Sequence, residues 1–300
     1  MRKLALILTL ALAIAACGAS NDKGNEKETA AADKPVVEKK DNTASVQQQL
    51  NDNLAKFFAN KQMEGVTFGA EVISAVEGLE DIKFVKITFT DTNTGKTQEQ
   101  YVFSNGEYLM PDLTSVATGQ GLKDTLMFMH AENVDIDTSN LSLAYGSKDA
   151  KNVIVEVSDF QCPYCRKAHE YLKQRLQGED VAIYFMHFPL SFHEKAELYA
   201  RVFEAGVQTG ANFYDELYST TKQFDKKPDE EIIEHFAAKT DNPEKFKELV
   251  NSEELKQKVL NQSKRGQELG VRGTPALFFN GKLVGGYKTD MYDKAIESFK

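Results

Sequence analysis

Asn152-Val153-Ile154-Val155-Glu156-Val157-Ser158-Asp159-Phe160-Gln161-Cys162-Pro163-Tyr164-Cys165 is the stretch on which the reading of this chain turns. Within its first seven residues, Val153 to Val157 are β-branched and apolar apart from Glu156, which predicts a strand over 152–158. The Cys-Pro-Tyr-Cys segment then predicts the start of a helix running to about Leu176. Pro163 suits the first turn of that helix, where its missing N–H costs nothing. A thiol at such a position faces unpaired backbone N–H groups and the positive end of the helix dipole, so charge on Cys162 is favoured. Cys162 therefore reads as a nucleophile and Cys165 as the thiol that resolves what it forms. The chain holds three cysteines, and the third, Cys17, lies far away near the N-terminus. An isolated dithiol of this kind points to disulfide exchange in an oxidising compartment.

Two other readings of the pair compete. A purely structural bridge across so short a loop would constrain the unfolded chain little. Half of a zinc site with His169 would want further ligands and usually a second cysteine pair, so no metal is expected, and no cofactor beyond the cysteine pair itself. Glu156 lies six residues before Cys162. Buried beneath the sulfur pair it would have a raised pKa and could shuttle the Cys165 proton; turned outward by strand twist it would be an ordinary surface charge. Asp159 reads as a loop acceptor. His193-Glu194-Lys195-Ala196-Glu197 begins like a zinc-protease motif but has Glu where the second His must stand. His187 and His235 read as packed or surface residues.

Downstream, residues 181–188 predict a second strand, and residues 191–221, 229–239, 244–250 and 253–269 predict helices, with Asn242 and Ser252 as N-caps. Residues 276–280 and 282–286 predict a hairpin, and Asp290 is expected to cap a final helix. Strands alternating with helices, then a hairpin and a helix, describe an α/β, thioredoxin-like fold with a helical insertion at about 191–269. Val271-Arg272-Gly273-Thr274-Pro275 places a proline at the first residue of a strand, where it is tolerated. With SDFQCPYC, HEKAELYARVFEAG and LGVRGTPALFFNGK in view, residues 141–300 resemble the thioredoxin superfamily in its DsbA, DsbC and DsbG branch. The resemblance implies that residues 141–300 are the catalytic domain and that a cis-proline loop brings Thr274 and Pro275 to face Cys162. It also implies substrate contacts at Pro163, Tyr164, Thr274 and Pro275, with the Thr274 backbone pairing with a client by strand addition.

Ahead of this unit, residues 46–59 carry apolar residues at helical spacing. Residues 66–73, 82–90 and 98–103 alternate as strands, and Ser104-Asn105-Gly106-Glu107 marks a hairpin turn. Residues 46–117 are thus expected to be a small α+β domain and residues 118–140 a linker helix. The small unit resembles the dimerisation domain of DsbC and DsbG, which implies a homodimer or a substrate-docking role; HEKAELYARVFEAG is closer to DsbA-like monomers.

Arg2 and Lys3 precede an apolar run to Ala16 that is too short to span a bilayer, so residues 1–16 read as a signal peptide. Ile14-Ala15-Ala16-Cys17-Gly18 resembles the bacterial lipobox, which implies lipidation of Cys17. Residues 17–45 are polar and charged and predict a disordered tether with a mean reach of about 30 Å. The net charge of −9, with no basic run, argues against nucleic acid. The expectation is a lipid-anchored protein of the bacterial envelope, exchanging disulfides with exported proteins and with a membrane redox partner. Tyr164, where DsbA has His, and Thr274 before the proline, as in DsbG, lean toward an isomerase or reductase. A DsbA-like oxidase is the alternative, and a tethered chaperone with a vestigial cysteine pair is the alternative of another class.

Overall fold

In the computed structural model, which describes residues 42–60 and 65–299, the chain builds two separate β-sheets. The signal segment, Cys17 and nearly all of the expected tether lie outside the described residues. Helix α1 (Thr43–Asn60) begins within the last residues assigned to the tether, three before the expected Val46. It lays Leu50 and Leu54 on Val85, Ile87 and Val102 of an antiparallel sheet. That sheet comprises β1 (Val66–Val76), β2 (Leu79–Asp91), β3 (Thr97–Ser104) and β4 (Leu109–Met110), paired in sequence order. The first two strands run longer than their alternation suggested because Gly78, at φ 76°, closes a tight turn between them. The 104–107 turn forms as expected: Ser104 Oγ accepts from the Gly106 N–H, and Asn105 Oδ1 from those of Glu107 and Tyr108. On the outer side of β1, the Gln47 side chain donates to Ala70 O and accepts from Val72 N.

The expected linker helix over 118–140 is much shorter. Helix α2 spans only Leu122–His130, ending at Ala131, whose backbone is extended. The following segment cannot continue the helix because it is pinned elsewhere, with the Val134 N–H donating to Gly281 O.

The second sheet comprises β5 (Ser142–Tyr145), β6 (Asn152–Ser158), β7 (Val181–His187), β8 (Ala276–Phe279) and β9 (Lys282–Gly285), in the order β5-β7-β6-β8-β9. Between β6 and β7, which are parallel, the crossover is helix α3 (Pro163–Arg175). The central strands are buried on both faces: Ile154 and Phe185 pack into one cluster, Val155, Val157, Met186 and Phe278 into the other. This explains their near-continuous apolar character. β5 is a four-residue edge strand with no period long enough to detect.

Residues 191–221, expected as one helix, form α4 (Ala196–Gln208) and α5 (Tyr214–Phe224). The chain reverses at Gly210, φ 83°, and a Cβ on Gly206 would stand 2.6 Å from the Phe213 ring. Asn212 Oδ1 accepts from the Tyr214 N–H to start the second helix. Then come α6 (Asp229–Ala237), α7 (Pro243–Val250), α8 (Glu253–Glu268) and α9 (Thr289–Glu297). Asn242 and Ser252 cap α7 and α8 through their side chains. Asp290 does not cap α9: Lys288 holds the N-cap position and Asp290 lies in the first turn, where its charge still complements the dipole.

The insertion is tied to the sheet by a buried ionic cluster. Glu204 of α4, fully buried, meets His187 Nε2 at 2.9 Å, Ser142 Oγ at 2.7 Å and Lys258 Nζ at 2.6 Å. Burial pulls the Glu204 pKa up, but the His187 hydrogen bond and the charges of His187 and Lys258 outweigh it and hold the carboxyl down at about 2.

Candidate active site

Strand β6 ends at Ser158, and the next residue organises the loop that carries the dithiol. Asp159 Oδ1 accepts from the Gln161 N–H at 2.8 Å, while Oδ2 accepts from the Leu190 N–H at 2.9 Å and meets His193 Nδ1 at 2.8 Å. Its backbone carbonyl accepts from Cys162 N at 3.0 Å. Asp159 is thus the loop acceptor its position suggested, and His193 is its partner. Gln161 accepts from Lys195 N and donates to Asp225, clamping the same loop to the start of α4 and the end of α5.

Cys162 occupies the N-cap of α3 with Pro163 behind it. Both thiols are free; Cys162 is 4 % exposed and Cys165 wholly buried. Pro163 and Tyr164 are exposed beside them, with Lys167 Nζ 5.4 Å from the centre of the Tyr164 ring. Phe192, on the segment that Asp159 holds, leaves 74 % of its surface open, an exposed ring that sequence patterning did not single out. The Thr274–Pro275 peptide is cis, and the Cys162 thiol reaches Thr274 O at 3.6 Å. Thr274 Oγ1 is buried without a partner at hydrogen-bonding distance.

The two thiols are driven apart electrostatically. A hydrogen bond from Cys165, helped by Thr274 and by the N–H groups of Cys165 and Tyr164, outweighs burial and brings the Cys162 pKa down to about 5. Burial, then the neighbouring Cys162, pushes Cys165 well above the ordinary thiol range. At neutral pH the pair is a thiolate followed by a thiol.

Glu156 points inward, not to solvent: it is fully buried, level with Phe185 on one neighbouring strand and Leu277 on the other. Tyr214 Oη and Tyr218 Oη both donate to its carboxylate, the latter at 2.6 Å. Burial raises its pKa against the pull of these hydroxyls and of Ser158. Ser158 Oγ in turn lies 2.7 Å from Tyr218 Oη. Sequence reasoning did not find Ser158, Tyr214 or Tyr218. The only signal was two tyrosines at i, i+4 spacing on one helix, which nothing local connects to β6. His169 is packed edge-on to Tyr214 and stacked on Tyr218, and its Nε2 meets Asp215 at 3.1 Å. Burial lowers its pKa to about 4, so the ring is neutral at pH 7. His187 pairs with buried Glu204, and His235 meets Glu216 at 3.1 Å.

The thioredoxin family model matches residues 138–298. A probable disulfide bond formation protein D of Bacillus anthracis is 34% identical over 172 residues, which cover 49% of this chain and 76% of that protein. Disulfide bond formation protein D of Bacillus subtilis is 25% identical over 171 residues, covering 52% and 74%. Among solved structures, oxidised BdbD from Bacillus subtilis is similar with a TM-score of 0.48 and 21% identity, over 56% of this chain and 96% of that one. Since the family match extends over more than half of the chain and takes in the cysteine pair and the proline loop, the chain belongs to the thioredoxin superfamily, among its DsbA-like thiol-disulfide oxidoreductases.

Proposed function

We propose that the protein forms disulfides in exported proteins from the outer side of a bacterial membrane. The observation that carries this reading is the opposed displacement of the two thiol pKa values. When a client thiolate attacks the Cys162–Cys165 disulfide at Cys162, Cys165 leaves and takes up a proton. A second client thiolate then attacks the client sulfur of the mixed disulfide, and Cys162 departs. A thiol with a pKa near 5 leaves readily, which favours handing the disulfide on. The client loses two electrons and the enzyme dithiol gains them, so a membrane redox partner must reoxidise the pair. Glu156 serves as the proton store for Cys165. The Thr274 backbone offers an edge for an extended client, with exposed Pro163 and Tyr164 alongside.

A second reading, isomerase or reductase, is favoured by Tyr164, which places no cation between the cysteines. Lipidation at Cys17 would supply the anchor; among the described residues no helix is long and apolar enough to cross a membrane. For residues 46–117 we favour a spacer over a dimerisation module. Gln47 already engages β1 at Ala70 and Val72, the backbone a two-fold partner strand would need.

Thiol trapping in cells tests the direction. Disulfide formation requires Cys162 and Cys165 to be mostly oxidised at steady state; a mostly reduced pair transfers the assignment to isomerase or reductase. In the same cells Cys162→Ser should abolish exchange and Cys165→Ser should accumulate mixed disulfides with clients. Trapping through Cys165 instead would reverse the roles.

A further inference from the structure

Arg272, Gly273 and Thr274 form an open edge between two fixed points. On one side Val271 is 2 % exposed and its N–H donates to Gly266 O at 3.0 Å; on the other, Pro275 O accepts from the Gly286 N–H at 2.8 Å. Among the described residues no backbone hydrogen bond engages the N–H of Arg272, Gly273 or Thr274. Cys162 Sγ lies 3.6 Å from Thr274 O, at the end of this edge where exchange occurs. A Cβ on Gly273 would have no neighbour within 4 Å, so nothing crowds the approach along it.

At the other end stands Arg272, exposed to solvent. Its guanidinium donates to Gln267 O at 3.4 Å, in the last turn of α8, where the helix dipole favours a cation. That contact leaves most of the guanidinium N–H donors free. Glu268, beside Gln267, meets Arg265 at 3.4 Å, and among the described residues no carboxylate pairs with Arg272. The charged residues of the two segments that make the exchange site, 162–167 and 271–275, are Arg166, Lys167 and Arg272, all positive in a chain of net charge −9. Arg166 is spent inward on Tyr218 O and Thr221, and the Lys167 ammonium rests on the Tyr164 ring. Arg272 is the one of the three whose charge lies on the pairing edge.

An extended client must set its cysteine opposite Thr274 to meet Cys162. At about 3.3 Å per residue, the client side chain that faces Arg272 is then two positions from that cysteine. A planar fork with free donors matches a carboxylate there and repels an ammonium.

We propose that Arg272 selects clients carrying Asp or Glu two positions from the reacting cysteine, an inference that rests on the exchange reading above and on strand pairing at Thr274. Because the pair forms at the surface, it sorts clients by rate and does not anchor them.

Peptides with one cysteine, blocked as its nitrothiobenzoate disulfide and flanked at both second positions by Glu or by Lys, test this on the reduced full-length protein. The Cys162 thiolate attacks the peptide sulfur, a bond forms between those two sulfurs, and nitrothiobenzoate leaves with the electron pair and is read by its absorbance. At physiological salt the Debye length is about 8 Å, which screens the charge of the rest of the chain. The Glu peptide should react faster than the Lys peptide. Arg272→Met should lower the Glu-to-Lys rate ratio about fivefold, since attraction of one peptide and repulsion of the other are lost together. Arg272→Glu should invert the preference. Lys148→Met removes an exposed charge four residues before β6, at the end of that strand away from Cys162, and should keep the ratio within about twofold of wild type. A wild-type protein that reacts equally with both peptides overturns the proposal. So does a ratio that Arg272→Met changes by less than about twofold, or an Arg272→Glu variant that still favours the Glu peptide. An equal loss in Lys148→Met assigns the effect to net charge and overturns the contact. A wild-type protein that releases no nitrothiobenzoate from either peptide refutes the exchange reading itself, a result distinct from any failure of selection by Arg272.

Discussion

Lowering the pH from 7 to 4 should remove most of the stabilisation that the fold confers on the reduced protein through Cys162. An unfolded cysteine titrates near 8.5, and folding brings Cys162 down to about 5. The folded pKa is the depressed one, so the contribution is fully present above the unfolded value and is lost as pH falls through the folded value. Linkage then gives about 5 kcal/mol above pH 9, about 3 kcal/mol at pH 7 and almost nothing at pH 4. Cys165, shifted upward, stays protonated in both states across this window and adds nothing. The disulfide form has no thiol at either position. Other titrating groups are common to both forms, so the difference in unfolding free energy between reduced and oxidised protein isolates Cys162. Urea titrations followed by far-ultraviolet circular dichroism suit a chain without tryptophan. That difference should move toward the reduced form by about 3 kcal/mol between pH 4 and 7, equivalent to about 60 mV in a two-electron couple. Alkylation of Cys162 by iodoacetamide should show its midpoint near pH 5. A midpoint above about 7, or a change in the stability difference below about 1 kcal/mol, would refute the account of how this helix start and the Thr274 loop hold charge.

Two further outcomes follow from the geometry. Thr274→Val removes a hydroxyl that favours charge on both sulfurs, so the alkylation midpoint of Cys162 should rise and the disulfide become less oxidising; an unchanged midpoint removes the Thr274 side chain from the site. Glu204→Ala leaves His187 and Lys258 beside an empty buried position and should cost about 3 to 5 kcal/mol in urea unfolding at pH 7. Because the Glu204 pKa is held near 2, its contribution is intact above about pH 4.5 and declines as pH falls through 2; a loss at pH 7 below about 1 kcal/mol would show that the cluster does not tie the insertion to the sheet.

The dithiol and the strand before it were legible in the sequence because each depends on neighbours in the chain, whereas the proline loop facing Cys162 was implied by the family resemblance. Pro163 beside Cys162, the apolar run of β6, and the caps at Asn242 and Ser252 are local rules acting within a few residues. Elements without a local signature were lost. β5 exists because β7 offers it an edge, and the break between α4 and α5 depends on Phe213 folding back against Gly206. The site divides in the same way. Sequence by itself put Cys162 rather than Cys165 at the helix start, and the attacking and resolving roles proposed for them follow from which of the two meets the unpaired N–H groups. It left Glu156 undecided between core and solvent. Only the tertiary structure turned that carboxyl inward and set Tyr214 and Tyr218 on it from a helix some sixty residues away, because a buried carboxylate needs donors that no sequence-adjacent residue supplies here.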